Sequence, residues 1–389
     1  MKNSITIFNQ LLNIIPHCKF QQVVEEFNGD KYIKKFNSFH HLIVLLFAQL
    51  NENDSLRDIE RPININKNKL QFISLPEIKR STLSEANNRR DYKIFERLFY
   101  VMLDKTMQLT PKHKFRFNNE VYALDSSTID LCLSVFDWAK FRKRKGAVKL
   151  HTKLNLSGNI PDFLTITDGK CSDIRAAKEN FKFLADSIIV MDKGYIDFSW
   201  LYSLTQQGVF FVTRAKDNMV YEVSGQQEFT EGTGVISDEI IILKGQKATV
   251  DYPDKLRMIK YYDIKTDKLY TFITNNFKLA SKTIANIYKS RWQIELFFKW
   301  IKQNLKIKSF IGTSKNAVMS QIWVAMIAYL LLSYIKFQTK SVLSILEFTR
   351  IIRATLFQRV ALMDLLSLKY KDIWKISENI NLNQLKLAI

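Results

Sequence analysis

The chain has 389 residues, 47% of them hydrophobic, and it carries 58 lysines and arginines against 38 aspartates and glutamates, a formal net charge of +20. Such a length and apolar fraction are enough for a large buried core, so we expect two or three structural units. The excess of positive charge favours a polyanion such as nucleic acid as the partner. The cysteines number only three and are widely spaced, which argues against a disulfide framework and against a thiolate zinc site.

The sequence carries no evident signal for export or for membrane insertion. Its first residues lack a basic region followed by a cleavable apolar segment. The most apolar stretch, residues 322–335, is shorter than the roughly 20 residues that span a bilayer. We therefore predict a buried helix there, a cytoplasmic protein and no membrane partner.

Residues 1–115 are predicted to form a helical N-terminal domain that binds DNA. Apolar residues recur at spacings of three and four in residues 20–27, 39–50 and 92–103. Ser81 or Thr82 is predicted to cap a helix that carries Arg89, which is compatible with a unit resembling a helix-turn-helix. The alternative is a small helical bundle with a solvated polar edge.

Short apolar runs that are typical of strands begin at residue 121. They read VYALDSSTIDL, AVKLHTKLNL and DFLTITDG, followed by a helical stretch at 173–185 and then SIIVMD. The order strand, strand, strand, helix, strand opens a ribonuclease-H-like sheet, in which the first strand and the end of the fourth lie side by side. Asp125 lies on the first of these strands and Asp192 ends the fourth, so we expect the two acids to be neighbours.

The rest of the chain is predicted to complete this sheet. Residues 209–213 form a strand candidate, and residues 220–274 alternate like an antiparallel β insertion, in pieces that include KATVDY. We expect this insertion to be a separable layer. Ser281 is predicted to cap a helix in the second part of the core, and the chain then continues as a helical C-terminal region.

The predicted fold class is α/β, a ribonuclease-H-like mixed sheet flanked by helices, with an inserted antiparallel β subdomain and an N-terminal helical domain. The predicted divisions are 1–115 for the N-terminal domain, 116–219 for the first part of the core, 220–274 for the insertion, 275–335 for the second part of the core and 336–389 for the C-terminal region.

The segment YKSRWQIELFFKWIK, residues 288–302, carries the most informative spacing. At about 100° per residue, Tyr288, Arg291, Glu295 and Lys302 fall on one stripe of a single helix. Glu295 is the only acid among the basic residues of this region, so it stays ionised and suits a divalent metal, while the cations suit a phosphate backbone. Those basic residues are Lys289, Arg291, Lys299, Lys302, Lys306 and Lys308. The alternative is a surface helix with one ion pair.

Asp125, Asp192 and Glu295 together predict phosphodiester chemistry. Three carboxylates on two adjacent strands and a packed helix can bind two Mg²⁺ ions about 4 Å apart. Oxygen ligands favour Mg²⁺, or Mn²⁺ as a substitute, over zinc. Taken singly, each aspartate also fits a structural role in a turn.

The chain resembles the DDE transposases of the fourth insertion-sequence family, which carry the signature Y-x2-R-x3-E-x6-K. The resemblance also includes DKGY at 192–195 and YALDSST around Asp125, and it extends over about residues 121–310. It implies a ribonuclease-H-like core with a β insertion between the second aspartate and the glutamate. It also implies that Asp125, Asp192 and Glu295 are catalytic metal ligands and that Tyr288, Arg291 and Lys302 contact DNA phosphates near the cut.

Further DNA contacts are predicted at Arg214 and Lys216, which match the region where the family places them, and at Lys299 on the helix of Glu295. Residues 140–153 form a basic run without an acid. Such a run is usually a solvated loop, and beside an active site it also serves as a phosphate clamp. Its predicted contacts are Arg142, Lys143 and Arg144.

We therefore expect a DNA transposase that cuts an insertion sequence at its terminal inverted repeats and joins the 3′ hydroxyl ends to target DNA. The resemblance implies a DNA-hairpin intermediate, a homodimeric synaptic complex and a bacterial cytoplasmic location at the nucleoid. The alternatives are a ribonuclease-H-like nuclease or resolvase without strand transfer, and an inactive DNA-binding derivative.

Overall fold

The structure, a computed structural model, describes residues 5–131, 138, 140–142, 145–304 and 310–367. The chain divides into two compact units, one of Met1–Thr110 with Ile301–Ile389 and one of Pro111–Trp300. The predicted domain boundaries remain predictions, although this division joins the two ends of the chain in one unit.

The bounds of the elements follow in chain order. The first helices are α1 (Ile7–Leu12), α2 (His17–Glu26), α3 (Ser38–Leu50), α4 (Leu56–Ile65), α5 (Arg80–Arg89) and α6 (Lys93–Met107), with a 3-10 helix at Lys67–Ile73. Next come β1 (Val121–Leu131), β2 (Lys140–Arg142), β3 (Lys145–Asn155), β4 (Ile160–Asp168), α7 (Asp173–Asn180), β5 (Ile188–Val190), α8 (Phe198–Gln206) and β6 (Phe210–Arg214). Then follow β7 (Tyr221–Gln226), β8 (Val235–Leu243), α9 (Gln246–Asp251), β9 (Leu256–Asp263), β10 (Lys268–Thr274), α10 (Ser281–Ser290) and α11 (Trp292–Asn304). The last helices are α12 (Lys315–Gln338), α13 (Ile345–Thr355) and α14 (Leu362–Ser367).

The unit that contains both ends of the chain is built from helices around α12. Residues 322–335 lie inside α12, and almost all of their side chains are buried, so the predicted buried helix is confirmed. By length and composition alone α12 could cross a membrane, but 94% of its most apolar window is buried, as in the core helix of a soluble protein. Neither Ser81 nor Thr82 caps α5, because that helix begins at Arg80 with Lys79 as its N-cap.

The second unit contains a mixed sheet of ten strands. Its order is β2-β3-β1-β5-β6-β10-β9-β8-β7, and β4 pairs with β3. The pairs of β5 with β1 and with β6 are parallel, and the other pairs are antiparallel. The predicted order of strands and helix is therefore found, except that α7 ends at Asn180 because Phe181 adopts an extended backbone.

The pairing of β1 with β5 determines where the two aspartates lie. Ala123 and Val190 are opposite each other in this parallel pair. Asp125 lies two residues after Ala123 on β1, and Asp192 lies two residues after Val190, just beyond β5. The two strands therefore deliver one acid each at the same level of the sheet. Side chains two residues apart on a strand point to the same face.

The strands of the predicted insertion, 220–274, continue the sheet of the core. Its last strand, β10, pairs with β6, so its strands extend the sheet that contains β1 and β5. Its apolar side chains also share one buried cluster with Trp200 and Phe211. The contributors from the insertion are Ile241, Leu243, Tyr252, Leu256, Met258 and Ile273. KATVDY, predicted as a strand piece, forms α9 and the residue after it instead.

A buried ion pair connects the insertion to α10. Arg257 is 2% exposed and donates two hydrogen bonds to Asp238, at 2.8 Å and 2.5 Å. The hydroxyl of Ser281 also donates to Asp238, at 2.5 Å. The predicted helix cap at Ser281 is therefore wrong: Ser281 is the first residue of α10, and its side chain instead binds a carboxylate of β8.

Candidate active site

The two aspartates of the parallel strands are held by short local hydrogen bonds. Oδ1 of Asp125 accepts from the backbone N–H of Ser126 at 2.8 Å. Oδ1 of Asp192 accepts from the N–H of Gly194 at 2.5 Å, so Asp192 caps the 3-10 turn that follows β5. A Cβ at position 194 would lie 2.8 Å from that oxygen, which explains why a glycine follows the acid here.

The helix that carries the spaced signature is interrupted at Arg291, so the prediction of one continuous helix is wrong. Tyr288 ends up in α10, Glu295 in α11 and Arg291 in the turn between them. The N–H of Arg291 donates to the carbonyl of Tyr288, three residues back, at 3.1 Å. This bond joins residues three apart instead of four, so the turn is tighter than in an α-helix.

Tyr288 is packed on the sheet. It is 9% exposed, and its ring centroid lies 4.7 Å from that of Phe272 on β10. The guanidinium carbon of Arg291 lies 5.8 Å from the centre of the same tyrosine ring. Tyr288 therefore packs beside Arg291, and little of its side chain is exposed to solvent.

Arg291 joins the acid of β1 to the acid of α11. Its Nη1 lies 3.4 Å from Oδ2 of Asp125, and its Nη2 makes a close contact with Oε1 of Glu295. The side chain of Arg291 is only 16% exposed. Since Asp125 and Arg291 are 166 positions apart in sequence, the tertiary fold is what creates this bridge.

The acids of this site repel one another. The pKa of Asp125 is raised to about 6: burial is the largest cause, the Ser126 N–H and Arg291 oppose it, and the charges of Asp192 and Glu295 add to it. For Arg291, burial lowers the pKa, but Tyr288 and the two bridged acids outweigh it and raise the value. The arrangement therefore requires a cation to be stable in its ionised form.

The oxygen donors of Asp125, Asp192 and Glu295 have the chemistry of a site for hard divalent cations. Among the described residues, however, no group of three such side chains lies in metal-binding geometry. The bridging guanidinium supplies positive charge between Asp125 and Glu295. The residues therefore fit a divalent cation in their chemistry, while Arg291 lies between two of them.

The other predicted DNA contacts are distributed around this region. Lys299 is exposed on α11, and Lys302 lies two turns beyond Glu295 on the same helix. Arg214, at the end of β6, lies 5.8 Å from the centre of the Tyr270 ring, and Lys216 donates to the carbonyl of Ile196 at 3.1 Å. Only the backbone of Arg142 is described, in β2; Lys143 and Arg144 lie outside the described residues.

A second charged cluster beside β1 was missed by the sequence reasoning. Nζ of Lys149 lies 2.8 Å and Nδ1 of His151 lies 3.3 Å from Oδ1 of Asp173. Burial opposes the shift, but His151, Lys149 and Ser126 together hold the pKa of Asp173 well below its usual range. The available signal was the spacing of Lys149 and His151, two residues apart on one strand face.

The comparisons with known proteins agree with the predicted class. The family model described as a transposase DDE domain matches residues 116–331, more than half of the chain. A second model, a domain of unknown function (DUF4372), matches residues 3–73.

Two curated relatives and one solved structure illustrate the similarity. The "Putative transposase y4zB" of Sinorhizobium fredii is 33% identical over 71% of this chain and 77% of its own length. The "Probable transposase for insertion sequence element IS5377" of Geobacillus stearothermophilus is 27% identical over 68% of this chain and 70% of its own length. A piggyBac transposase synaptic complex with hairpin DNA aligns with 96% of this chain and 84% of its own at a TM-score of 0.43 and 10% identity, too low to carry an argument. By the family model and the relative from Sinorhizobium, this chain belongs to the DDE transposase family.

Proposed function

We propose that this transposase cuts an insertion sequence at its terminal inverted repeats and joins the 3′ hydroxyl ends to target DNA by two-metal phosphodiester chemistry. The observation that carries the proposal is the convergence of Asp125 and Glu295 on Arg291, with Asp192 delivered at the level of Asp125 by the neighbouring strand. These acids come from separate parts of the chain, so it is the fold that collects their charges at one place.

We also propose that the core is ribonuclease-H-like. This proposal is supported by the strand order β4-β3-β1-β5-β6, in which β1 lies beside β5 and parallel to it. In such a core β1 and the turn that follows β5 would supply two of the three catalytic acids. The third, Glu295, comes from a helix that follows the sheet.

Asp125, Asp192 and Glu295 are proposed to hold Mg²⁺, or Mn²⁺ in its place. Two bound cations would activate the attacking oxygen and stabilise the leaving oxygen. The protein's own part is positional: the strand pairing and the turn at Gly194 orient the aspartates, and the packing of α11 orients the glutamate.

The DNA is proposed to reach this site across basic residues. Exposed Lys299 and the neighbouring Lys302 follow Glu295 along α11, where they would contact phosphates of the cleaved end. The remaining proposed contacts are Arg214, Lys216, Arg142, Lys143 and Arg144. The partners would be terminal inverted repeats and target DNA, with two chains in the synaptic complex, and the N-terminal helices would read the repeat sequence.

The test uses the purified full chain and the DNA that flanks its gene. Inverted repeats with short direct duplications beyond them would define the ends. A linear duplex that contains one terminal inverted repeat and its flanking DNA should be nicked at the repeat boundary in Mg²⁺. A duplex already cleaved at that boundary should be joined to plasmid DNA. A duplex with a scrambled repeat is the matched control.

Each outcome distinguishes a function. Cleavage without joining of pre-cleaved ends would contradict transposition and indicate a nuclease or resolvase. Binding of the repeat without any metal-dependent nicking would indicate an inactive derivative.

A further inference from the structure

The position of Arg291 conflicts with the single role that the signature gives it. As a DNA contact, its guanidinium would lie on a phosphate. In the structure the same group bridges Asp125 and Glu295, two of the three proposed metal ligands. Since Nη1 and Nη2 are both directed at these acids, a phosphate would compete with them for the same donors.

The bridging arrangement also excludes a divalent cation from the same acids. A cation bound by Asp125 and Glu295 would lie within a few ångströms of the guanidinium, and two positive groups that close repel strongly where water is scarce. Arg291 is 16% exposed on its side chain, so the solvent screens this repulsion poorly. Binding of the cation therefore competes with the bridge that Arg291 forms.

The bridge is built in a way that allows it to be broken. Nε of Arg291 is buried and has no hydrogen-bond partner among the described residues. A buried donor without an acceptor costs free energy, so this pose is less stable than a fully paired arginine. The planar fork nonetheless reaches two acids at once, which a lysine ammonium does less well.

We infer that Arg291 is a positioning residue with two alternative partners. Without a divalent cation it bridges and neutralises Asp125 and Glu295, and when the cation binds, it moves to a DNA phosphate. The metal and the DNA then strengthen each other's binding. A bound cation displaces Arg291 from its bridge and frees the guanidinium for a phosphate. A phosphate that binds Arg291 in turn frees the two acids for the cation. The inference rests on the proposed function, since it assumes that these acids are the metal ligands.

The first test measures Mn²⁺ binding to the full chain without DNA, by calorimetric titration. Arg291→Met removes the competing cation at similar side-chain length. We expect its Kd for Mn²⁺ to be about tenfold lower than that of the wild type. This is the factor that applies when the bridged pose holds about nine-tenths of the wild-type molecules, because only the remaining molecules can bind the cation. Arg291→Lys keeps the charge and loses the fork, so its Kd should lie between the two.

Arg175→Met is the matched control. Arg175 and Glu179 form an ion pair with the same order and spacing on α7, but both side chains are more than half exposed. This variant should bind Mn²⁺ like the wild type.

The second test repeats the titration with a duplex that carries the element's end in excess. The wild type should gain Mn²⁺ affinity when the duplex is added, since a phosphate then competes for Arg291. Arg291→Met should show no such gain.

The results separate this inference from the proposed function. If Arg291→Met binds Mn²⁺ no more tightly than the wild type, or if Arg291→Lys matches the wild type, Arg291 does not compete with the cation and the inference is wrong. If Asp125→Asn leaves the Mn²⁺ titration of the wild type unchanged, the acids are not the metal site, and the proposed function falls together with the inference.

Discussion

Asp125 combines a half-buried position with two neighbouring negative charges, and its pKa is raised for that reason. A purely structural aspartate in a turn is exposed and has a nearby N–H as its partner. Asp192 does cap a turn, so for that residue the structural role and the proposed catalytic role coexist. Asp125 is the residue whose surroundings favour a functional role most clearly.

Replacing each proposed metal ligand by its amide should abolish nicking. Asp125→Asn, Asp192→Asn and Glu295→Gln remove a charged oxygen ligand and add no repulsion toward DNA. Cleavage and band-shift assays on the same end duplex measure the two effects, and binding should be largely retained. A variant that still cleaves at the wild-type rate would place its residue outside the site.

Alanine substitution of two basic residues of the signature should lower the salt sensitivity of DNA binding. Arg291→Ala and Lys302→Ala should weaken binding to cleaved ends in the presence of Mn²⁺, and each lost phosphate contact should lower the slope of log K against log salt by roughly 0.9. Filter binding over a range of KCl concentrations gives this slope. An unchanged slope for both variants would mean that neither residue contacts DNA.

His41 should make the stability of the protein depend on pH. Burial, followed by the charge of Arg90, lowers its pKa to about 3, while its hydrogen bond to Asn87 opposes the shift. In the unfolded chain the histidine titrates near 6.5. Its contribution to stability is therefore complete above that pH and is lost as the pH falls toward 3.

This predicts that between pH 7.5 and pH 5 the wild type loses about 2 kcal/mol more of its free energy of unfolding than His41→Gln does. Urea unfolding at the two pH values measures the difference. Equal losses in the two proteins would show that folding does not lower the pKa of His41.

At the level of elements, the turn at Arg291 is more informative than either helix that it joins. It leaves Tyr288 against the sheet and turns Arg291 toward Asp125. In a continuous helix these two side chains and Glu295 would share one stripe. They still share it across the break, because Arg291 contacts both the Tyr288 ring and Glu295.

The ion pair between β8 and β9 should be essential for the position of α10. Breaking a buried pair by removing one partner costs about 3–5 kcal/mol, because it leaves an uncompensated charge. We expect Arg257→Met to lose stability of that size in urea unfolding. Arg175→Met, which breaks an exposed pair, should leave the unfolding midpoint almost unchanged.

For the molecule as a whole, the β insertion belongs to the core of its unit. A replacement of residues 220–274 by a short Gly/Ser linker removes the partner strand of β6 and part of the buried cluster. We expect the shortened chain to be insoluble or to lack a cooperative unfolding transition, as circular dichroism would show. A folded variant that still nicks DNA would restore the interpretation of the insertion as a separable layer.

Local patterns in the sequence were enough to predict most of the strands and the buried helix α12. Alternation of apolar residues favours a strand from local sequence alone, although KATVDY forms a helix instead, and the spacing from Tyr288 to Lys302 is visible without a fold. The order of the strands made Asp125 and Asp192 neighbours, and the register of β1 and β5 agrees.

Only the tertiary structure decided which long-range partners meet. The bridge from Arg291 to Asp125, the bond from Ser281 to Asp238 and the cluster at Asp173 join residues from different elements. The same is true of β10, which looks like an independent strand in sequence and pairs with β6 in the fold. The physical reason is that a local pattern determines which face of an element is buried, whereas the side chains that meet on that face depend on how elements distant in sequence pack together.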